Sequence, residues 1–390
     1  MMASRFDEII DRRNTNSYKW DTTPEGVIPM WVADMDFKTA PCIINALLRR
    51  VEQGVFGYTK VPDEYYEATV NWFDKRHGWS FRPENIIYTS GVVPAISAII
   101  KALTSPGDKV IVQTPAYNCF FSSIRNNKCI LLSNRLIYNN ESGRYSIDFN
   151  NLEKLASDKS AKILLLCNPH NPAGRVWTKD ELTAIADICK RHDVIVLSDE
   201  IHCELTYKDY KYTPFATVAE AAGCRYVSCV SPSKAFNIAG LQIANIVCPD
   251  ATMLGKIDRA INDNEVCDVN PFGVIATIEA YNNGAGWLDE LREYLYDNYL
   301  YFAEFFYKNL PDFKVTPLEG TYLAWVNCSH TGMKAAEIEE ILISKAGVRL
   351  NEGSMYGDGG DEFLRVNLAC PRSVLAEVLP RIAQVLKSLN

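Results

Sequence analysis

Between residues 85 and 231 the chain repeats one pattern: a short, almost unbroken apolar run, a polar break, then apolar positions spaced three and four apart. The apolar runs are NIIYTS (85–90), KVIVQT (109–114), KILLLCN (162–168), VIVLSDE (194–200) and YVSCVS (226–231). Runs this short and this uniformly apolar predict strands covered on both faces, because a half-exposed strand would alternate. The stretches between them predict helices from Pro94 to Leu103, near Phe120, and over KDELTAIADICKRH (179–192). Strands that alternate with helices predict a mostly parallel, doubly wound α/β sheet.

From Trp287 onward the pattern changes. A long helix, LDELREYLYDNYLYFAEFFYKNL (288–310), precedes strands near Tyr322–Val326 and Phe363–Leu368 and a closing helix, SVLAEVLPRIAQVLKSL (373–389). The chain is therefore read as a large domain over 42–284 and a small α+β unit made of 285–390 together with 1–41. A length of 390 residues, 47% of them hydrophobic, suits such a pair of cores. The net charge of -8 gives nucleic acid or an anionic membrane no electrostatic attraction. Twelve cysteines form no C-x-x-C and no zinc-like spacing with the five histidines, so no metal is expected. Several, such as Cys167, Cys229 and Cys248, sit in apolar runs, where free cysteine packs as a small hydrophobe. MMASRFDEIIDRRN has no apolar signal core, and no run approaches a membrane span; a cytoplasmic protein is expected.

Candidate chemistry gathers where the strands end. In open α/β sheets ligands bind beyond the carboxyl ends of the strands, which brings Gly91, Tyr117, Asn171, Asp199 and Lys234 to one crevice. Each has a plain alternative. In SPSKAFNIAGLQ (231–242), Lys234 is either a surface turn lysine or an enclosed amine with a lowered pKa, a nucleophile toward an aldehyde, beside serines that can donate to a phosphate. In TSGVVPAI (89–96), Gly91 and Val92 are a common strand–helix turn, or a helix start whose free N–H groups face an anion. No Walker loop or G-x-G-x-x-G is present, which disfavours a nucleotide-dependent dehydrogenase. CNPHNPAGRVW (167–177) is a stiff turn, or a mount for the Asn171 amide. In LSDEIHCEL (197–205), Asp199 caps a helix, or holds a pyridine nitrogen in its protonated form; His202 follows three residues later. Arg365, in FLRVNLACPR (363–372), belongs to a buried ion pair or clamps a substrate carboxylate. Tyr58, in GVFGYTK, is by itself an ordinary loop aromatic.

Taken in order, MWVADMDF (30–37), GYTK (57–60), TSGVVPAI, NPHNPAGRVW, SDEIH, SPSKAFNIAGLQ, EGTYLAW (319–325) and RVNLACPR resemble, end to end, the fold-type I pyridoxal-5′-phosphate (PLP) enzymes of the aspartate-aminotransferase-like superfamily. Within it the chain is similar to the MalY/PatB family of cystathionine β-lyases, or C–S lyases. The resemblance implies that Lys234 holds PLP as a Schiff base and that Gly91, Val92, Ser231 and Ser233 hold its phosphate. It further implies that Tyr117 stacks on the ring, Asp199 pairs with the ring nitrogen, and Asn171 bonds the phenolate oxygen. Arg365 would bind the substrate's α-carboxylate, and Tyr58 would reach the phosphate of a neighbouring subunit in a homodimer. His202 replaces a tyrosine, and Gln242 an arginine, of the wider aminotransferase pattern; both departures match the C–S lyase branch. The implied activity is α,β-elimination from cystathionine, cysteine or a related S-conjugate. Amino-group transfer, or a binding protein on this fold with incidental catalysis, remain as alternatives. Whether Asp34 or Asp36 meets substrate is open.

Overall fold

Seven strands build the central sheet: β1 (Ile86–Thr89), β2 (Lys109–Val112), β3 (Ile130–Ser133), β4 (Ala161–Cys167), β5 (Ile195–Asp199), β6 (Tyr226–Val230) and β7 (Ala244–Val247). The protein is described by a computed structural model over residues 4–266 and 268–389. The spatial order is β1-β7-β6-β5-β4-β2-β3. The strands from β3 to β6 pair in parallel, whereas β7 runs against both β6 and β1. The sheet is thus mixed at one side, and β3 and β7 are additions to the sequence reading.

Alternation along the strands sends side chains to two cores. Val110, Val112, Ile163, Leu165, Ile195 and Leu197 pack in a cluster with Ile96 and Ile99 of the helix Val92–Leu103 and with Ile257 of the helix Ala251–Asn262. Their neighbours Ile111, Leu164, Leu166 and Val196 face the other way, with Leu182 and Ile185 of the helix Lys179–His192. Burial on both faces is why these strands carry no polar alternation. The helix predicted to begin at Pro94 begins at Val92, so Pro94 lies in its first turn, where a missing N–H is harmless.

A second, antiparallel sheet runs β8 (Lys314–Val315), β9 (Leu323–Asn327), β11 (Phe363–Asn367) and β10 (Asn351–Glu352) in spatial order. The N-terminal segment joins this part of the chain. Ile28 and Pro29 pair with Val348 and Arg349, and the Asn367 side chain donates to the carbonyls of Val32 and Asp34, 2.6 Å each. Asn237, just after Lys234, bonds the backbone of Met35 and Phe37 from the other side. The run Trp31–Asp36 is therefore fixed between the two sheets. Among the described residues, no helix is long and apolar enough to cross a membrane, and all the cysteines are free.

Candidate active site

Gly91, Tyr117, Asn171, Asp199 and Lys234 line one cavity of about 550 Å³, together with Val92, His202, Ser233, Gln242 and Arg365. Most come from the carboxyl end of a strand or the turn after it; Gln242 lies just before β7, and Arg365 projects from β11 of the second sheet. The cavity therefore lies where the two sheets approach.

Asp199 closes β5, is 5% exposed, and accepts one hydrogen bond, 3.1 Å from the Ile201 N–H. Burial pushes its carboxyl up to about 7, with the neighbouring Glu200 charge adding to the rise. Lys234 Nζ donates to the Ala33 carbonyl at 2.7 Å. Burial, reinforced by the positive charge of Arg365, lowers the Lys234 amine to about 8. Arg365 is 3% exposed and donates from Nη1 to Asn171 Oδ1 (3.1 Å) and from Nη2 to the Trp31 carbonyl (2.8 Å); its Nε has no partner among the described residues. Because Asn171 Oδ1 is held by Arg365, the amide N–H groups of Asn171 are left to donate. Burial and the charges of Lys234 and Arg365 bring His202 down to about 3, so its ring is neutral, and its Nδ1 has no partner among the described residues.

Asp199, Lys234 and Arg365 are the charged residues of this cavity, and among the described residues none of them has an ion-pair partner. The reading of Arg365 as half of a structural ion pair is thereby removed. Buried charge without a partner is expensive unless a ligand completes it. At the opposite wall, Gly91 precedes the helix Val92–Leu103, which has no side-chain cap. A Cβ at Gly91 would meet nothing nearer than Pro94 at 3.4 Å, so the fold does not require glycine there. Its bareness leaves the first-turn N–H groups open to an anion.

The family model for aminotransferase class I and II matches residues 25–382. The cystathionine β-lyase PatB of Bacillus subtilis is 40% identical over 386 residues, covering 98% of this chain and 99% of that protein. The chain belongs to the class I and II aminotransferase family, on its PatB-type branch. Two solved structures agree in fold over nearly their whole length. A PLP-bound putative aminotransferase from Clostridium difficile has a TM-score of 0.95 at 43% identity, covering 98% of this chain and 100% of that one. A PLP-bound C–S lyase from Staphylococcus hominis has a TM-score of 0.91 at 36% identity, covering 98% and 99%.

The family's cofactor can be tested against the donors present. An enclosed amine, a carboxylate with room for a cationic ring nitrogen, an amide able to donate to an oxyanion and an uncapped helix start are the groups that PLP calls for. The cavity fits it. Tyr117, at the start of the helix Asn118–Asn126, supplies an aromatic wall.

Four residues stand apart from the others named from sequence. Ser231 does not line the cavity: its Oγ donates to the Ile243 carbonyl (2.7 Å) and accepts from the Ser233 N–H (3.1 Å), so it braces Ser233 from behind. Tyr58 is 97% exposed and does not line the cavity of its own chain. Asp34 and Asp36 are not in the lining either. Asp36 pairs with the buried Lys19 (2.7 Å) and with Arg12 (2.7 Å), and Asp34 also pairs with Arg12 (2.7 Å). They hold the N-terminal segment, whose Trp31, Val32 and Ala33 do line the cavity. The cavity is completed by Trp31 of MWVADMDF and by residues that no motif announced: Tyr18, Asn351, Met355 and Tyr356.

Proposed function

We propose that this chain is a PLP-dependent carbon–sulfur β-lyase that cleaves L-cystathionine, L-cysteine or a related S-conjugate to pyruvate, ammonia and a thiol. The observation that carries the reading is the cavity whose three buried ionisable groups have no ion pair among the described residues: an amine, a carboxylate and a guanidinium, each matching one group of a cofactor–amino acid pair. Elimination, rather than amino-group transfer, is supported by the full-length likeness to a cystathionine β-lyase.

When bound, the cofactor supplies an electron sink for the pair left at the substrate's Cα. The residues of this chain do the rest. Arg365 holds the α-carboxylate with its two-pronged guanidinium. Lys234, its amine lowered toward neutrality, takes the Cα proton as general base. Asp199 would hold the cofactor's ring nitrogen in its protonated form, its own buried carboxylate being compensated in return. The Asn171 amide donates to the phenolate oxygen, beside the neutral His202. The N–H groups of Gly91 and Val92 and the Ser233 hydroxyl take the phosphate, with Ser231 fixing the turn. The Cβ–S bond breaks with its electron pair leaving on sulfur, and the unsaturated amino acid left behind hydrolyses to pyruvate and ammonia.

The same reading makes the protein a cytoplasmic homodimer. Tyr58 would then cross to the phosphate of the partner copy, which fits a fully exposed tyrosine beside the exposed Val55 and Phe56. It also takes 42–284 as the cofactor-binding domain, and 1–41 with 285–390 as the smaller one that brings Arg365. Incubating the PLP-loaded protein with L-cystathionine or L-cysteine, without a 2-oxo acid, is expected to release pyruvate and ammonia in equal amounts. Turnover only when a 2-oxo acid is added would make the enzyme an aminotransferase and overturn the proposal.

A further inference from the structure

Asn351 is the residue directly opposite Arg365 in the β10–β11 pair. Its Nδ2 donates twice, to the Trp31 carbonyl at 3.1 Å and to the Tyr356 hydroxyl oxygen at 3.0 Å. A carbonyl can only accept, so the bond to Trp31 fixes which end of the amide faces it. That same carbonyl accepts Arg365 Nη2 at 2.8 Å. The Tyr356 ring, 1% exposed, lies with its centroid 5.1 Å from the Arg365 guanidinium carbon. One amide therefore ties together both supports of the guanidinium: the carbonyl that orients one prong, and the ring against which the plane rests. The third support, Asn171 Oδ1 on Nη1, comes from the other sheet's side of the cavity.

We propose that Asn351 is a positioning residue that sets the orientation of Arg365 for the substrate's α-carboxylate. The proposal rests on the reading of Arg365 as the carboxylate-binding residue and deepens it. A bidentate carboxylate contact depends on the angle of the guanidinium plane as well as on its charge. With Asn351 gone, the Trp31 carbonyl and the Tyr356 hydroxyl each lose a donor. Arg365 would keep its charge but not its fixed plane.

The test compares two amines that differ only in the carboxylate. L-Alanine and ethylamine are titrated into the holoenzyme, and dissociation constants are read at equilibrium from the cofactor's absorbance, for wild type, Asn351→Ala and Arg365→Ala. Arg365→Ala is expected to weaken L-alanine strongly and ethylamine little. Asn351→Ala is expected to weaken L-alanine by about tenfold, what one hydrogen bond to a charged group is worth, and ethylamine by less than about twofold. Where Asn351→Ala does not give folded holoenzyme, Asn351→Asp serves. Its carboxylate would pair with Arg365 and compete with the ligand, so L-alanine should weaken at least as much although the side chain keeps its shape. If Asn351 variants weaken both amines equally while Arg365→Ala discriminates between them, the role given to Asn351 is wrong and the reading of Arg365 stands. If Arg365→Ala does not discriminate, both fall.

Discussion

Asp199 combines 5% exposure, one hydrogen bond and, among the described residues, no ion pair, so its energetics depend on what fills the cavity. In the cofactor-free chain its carboxyl is pushed from the ordinary 3.8 up to about 7. The folded chain then holds this proton more tightly than the unfolded chain does. Its contribution to stability is full below 3.8 and is lost as the pH rises to about 7. Asp199→Asn keeps the acceptor for Ile201 and removes the charge. It should raise the melting temperature of the cofactor-free protein at pH 8 and leave it unchanged near pH 4; equal melting curves at both pH values would contradict the assignment. In the loaded enzyme the same substitution removes the counter-charge of the ring nitrogen. Pyruvate formation should then fall by about 10²–10³-fold, the scale of losing one preorganised electrostatic contact. Lys234, Asp199, Asn171 and Gly91 were legible because each follows a buried apolar strand, where a polar residue needs a reason. Sequence does not show that, of the two serines in this turn, Ser233 lines the cavity while the Ser231 hydroxyl bonds the Ile243 carbonyl. Asp34 and Asp36 were ambiguous because their partners, Arg12 and Lys19, are near in sequence but carry no motif.

At the level of elements, the wall below Arg365 is built by the segment between β10 and β11. Gly353 and Gly360 meet there so closely that a Cβ on Gly353 would lie 2.0 Å from the Gly360 carbonyl oxygen. The contact is with backbone, so no side chain can turn aside. Gly353→Ala should destabilise the fold by about 1–3 kcal/mol, as overpacking does, and weaken amino acid binding by displacing Tyr356. Denaturant unfolding and the L-alanine titration read the two effects; unchanged stability would show that the segment relaxes freely. Gly360 ends a D-G-G turn signature, but the close approach of Gly353 to it appears only when the loop closes on itself. The antiparallel β7 was missed for a related reason. Gln242 enters it in the left-handed region (φ 51°), and ANIV is too short to separate from the apolar residues around it. Strands β4, β5 and β6 were plain because burial on both faces leaves an unmistakable run.

Across the whole molecule, the two sheets must hold their relative placement for Arg365 and Lys234 to share one substrate. Glu319, 1% exposed, accepts from Arg175 Nε (3.0 Å) and the Val176 N–H (2.9 Å), and Arg144 also pairs with it. These bonds link the turn that carries Asn171 to the entrance of β9. Glu319→Ala should cost about 3–5 kcal/mol, because Arg175 stays buried and loses one of its two carboxylates. A loss below about 1 kcal/mol in denaturant unfolding would mean that Glu181 suffices. Such links join segments far apart in the chain, so neither NPAGRVW nor EGTYLAW announces the other. The cavity residues Tyr18, Met355 and Tyr356 are hidden for the same reason.

Lys234 must be the residue that carries the cofactor if this cavity is the active site. Borohydride reduction of the PLP-loaded protein, followed by proteolysis and mass spectrometry, locates the attachment directly. The peptide containing Lys234 should bear the reduced pyridoxyl phosphate adduct. An adduct on another lysine, with the Lys234 peptide unmodified, would contradict the assignment of this cavity and the mechanism built on it.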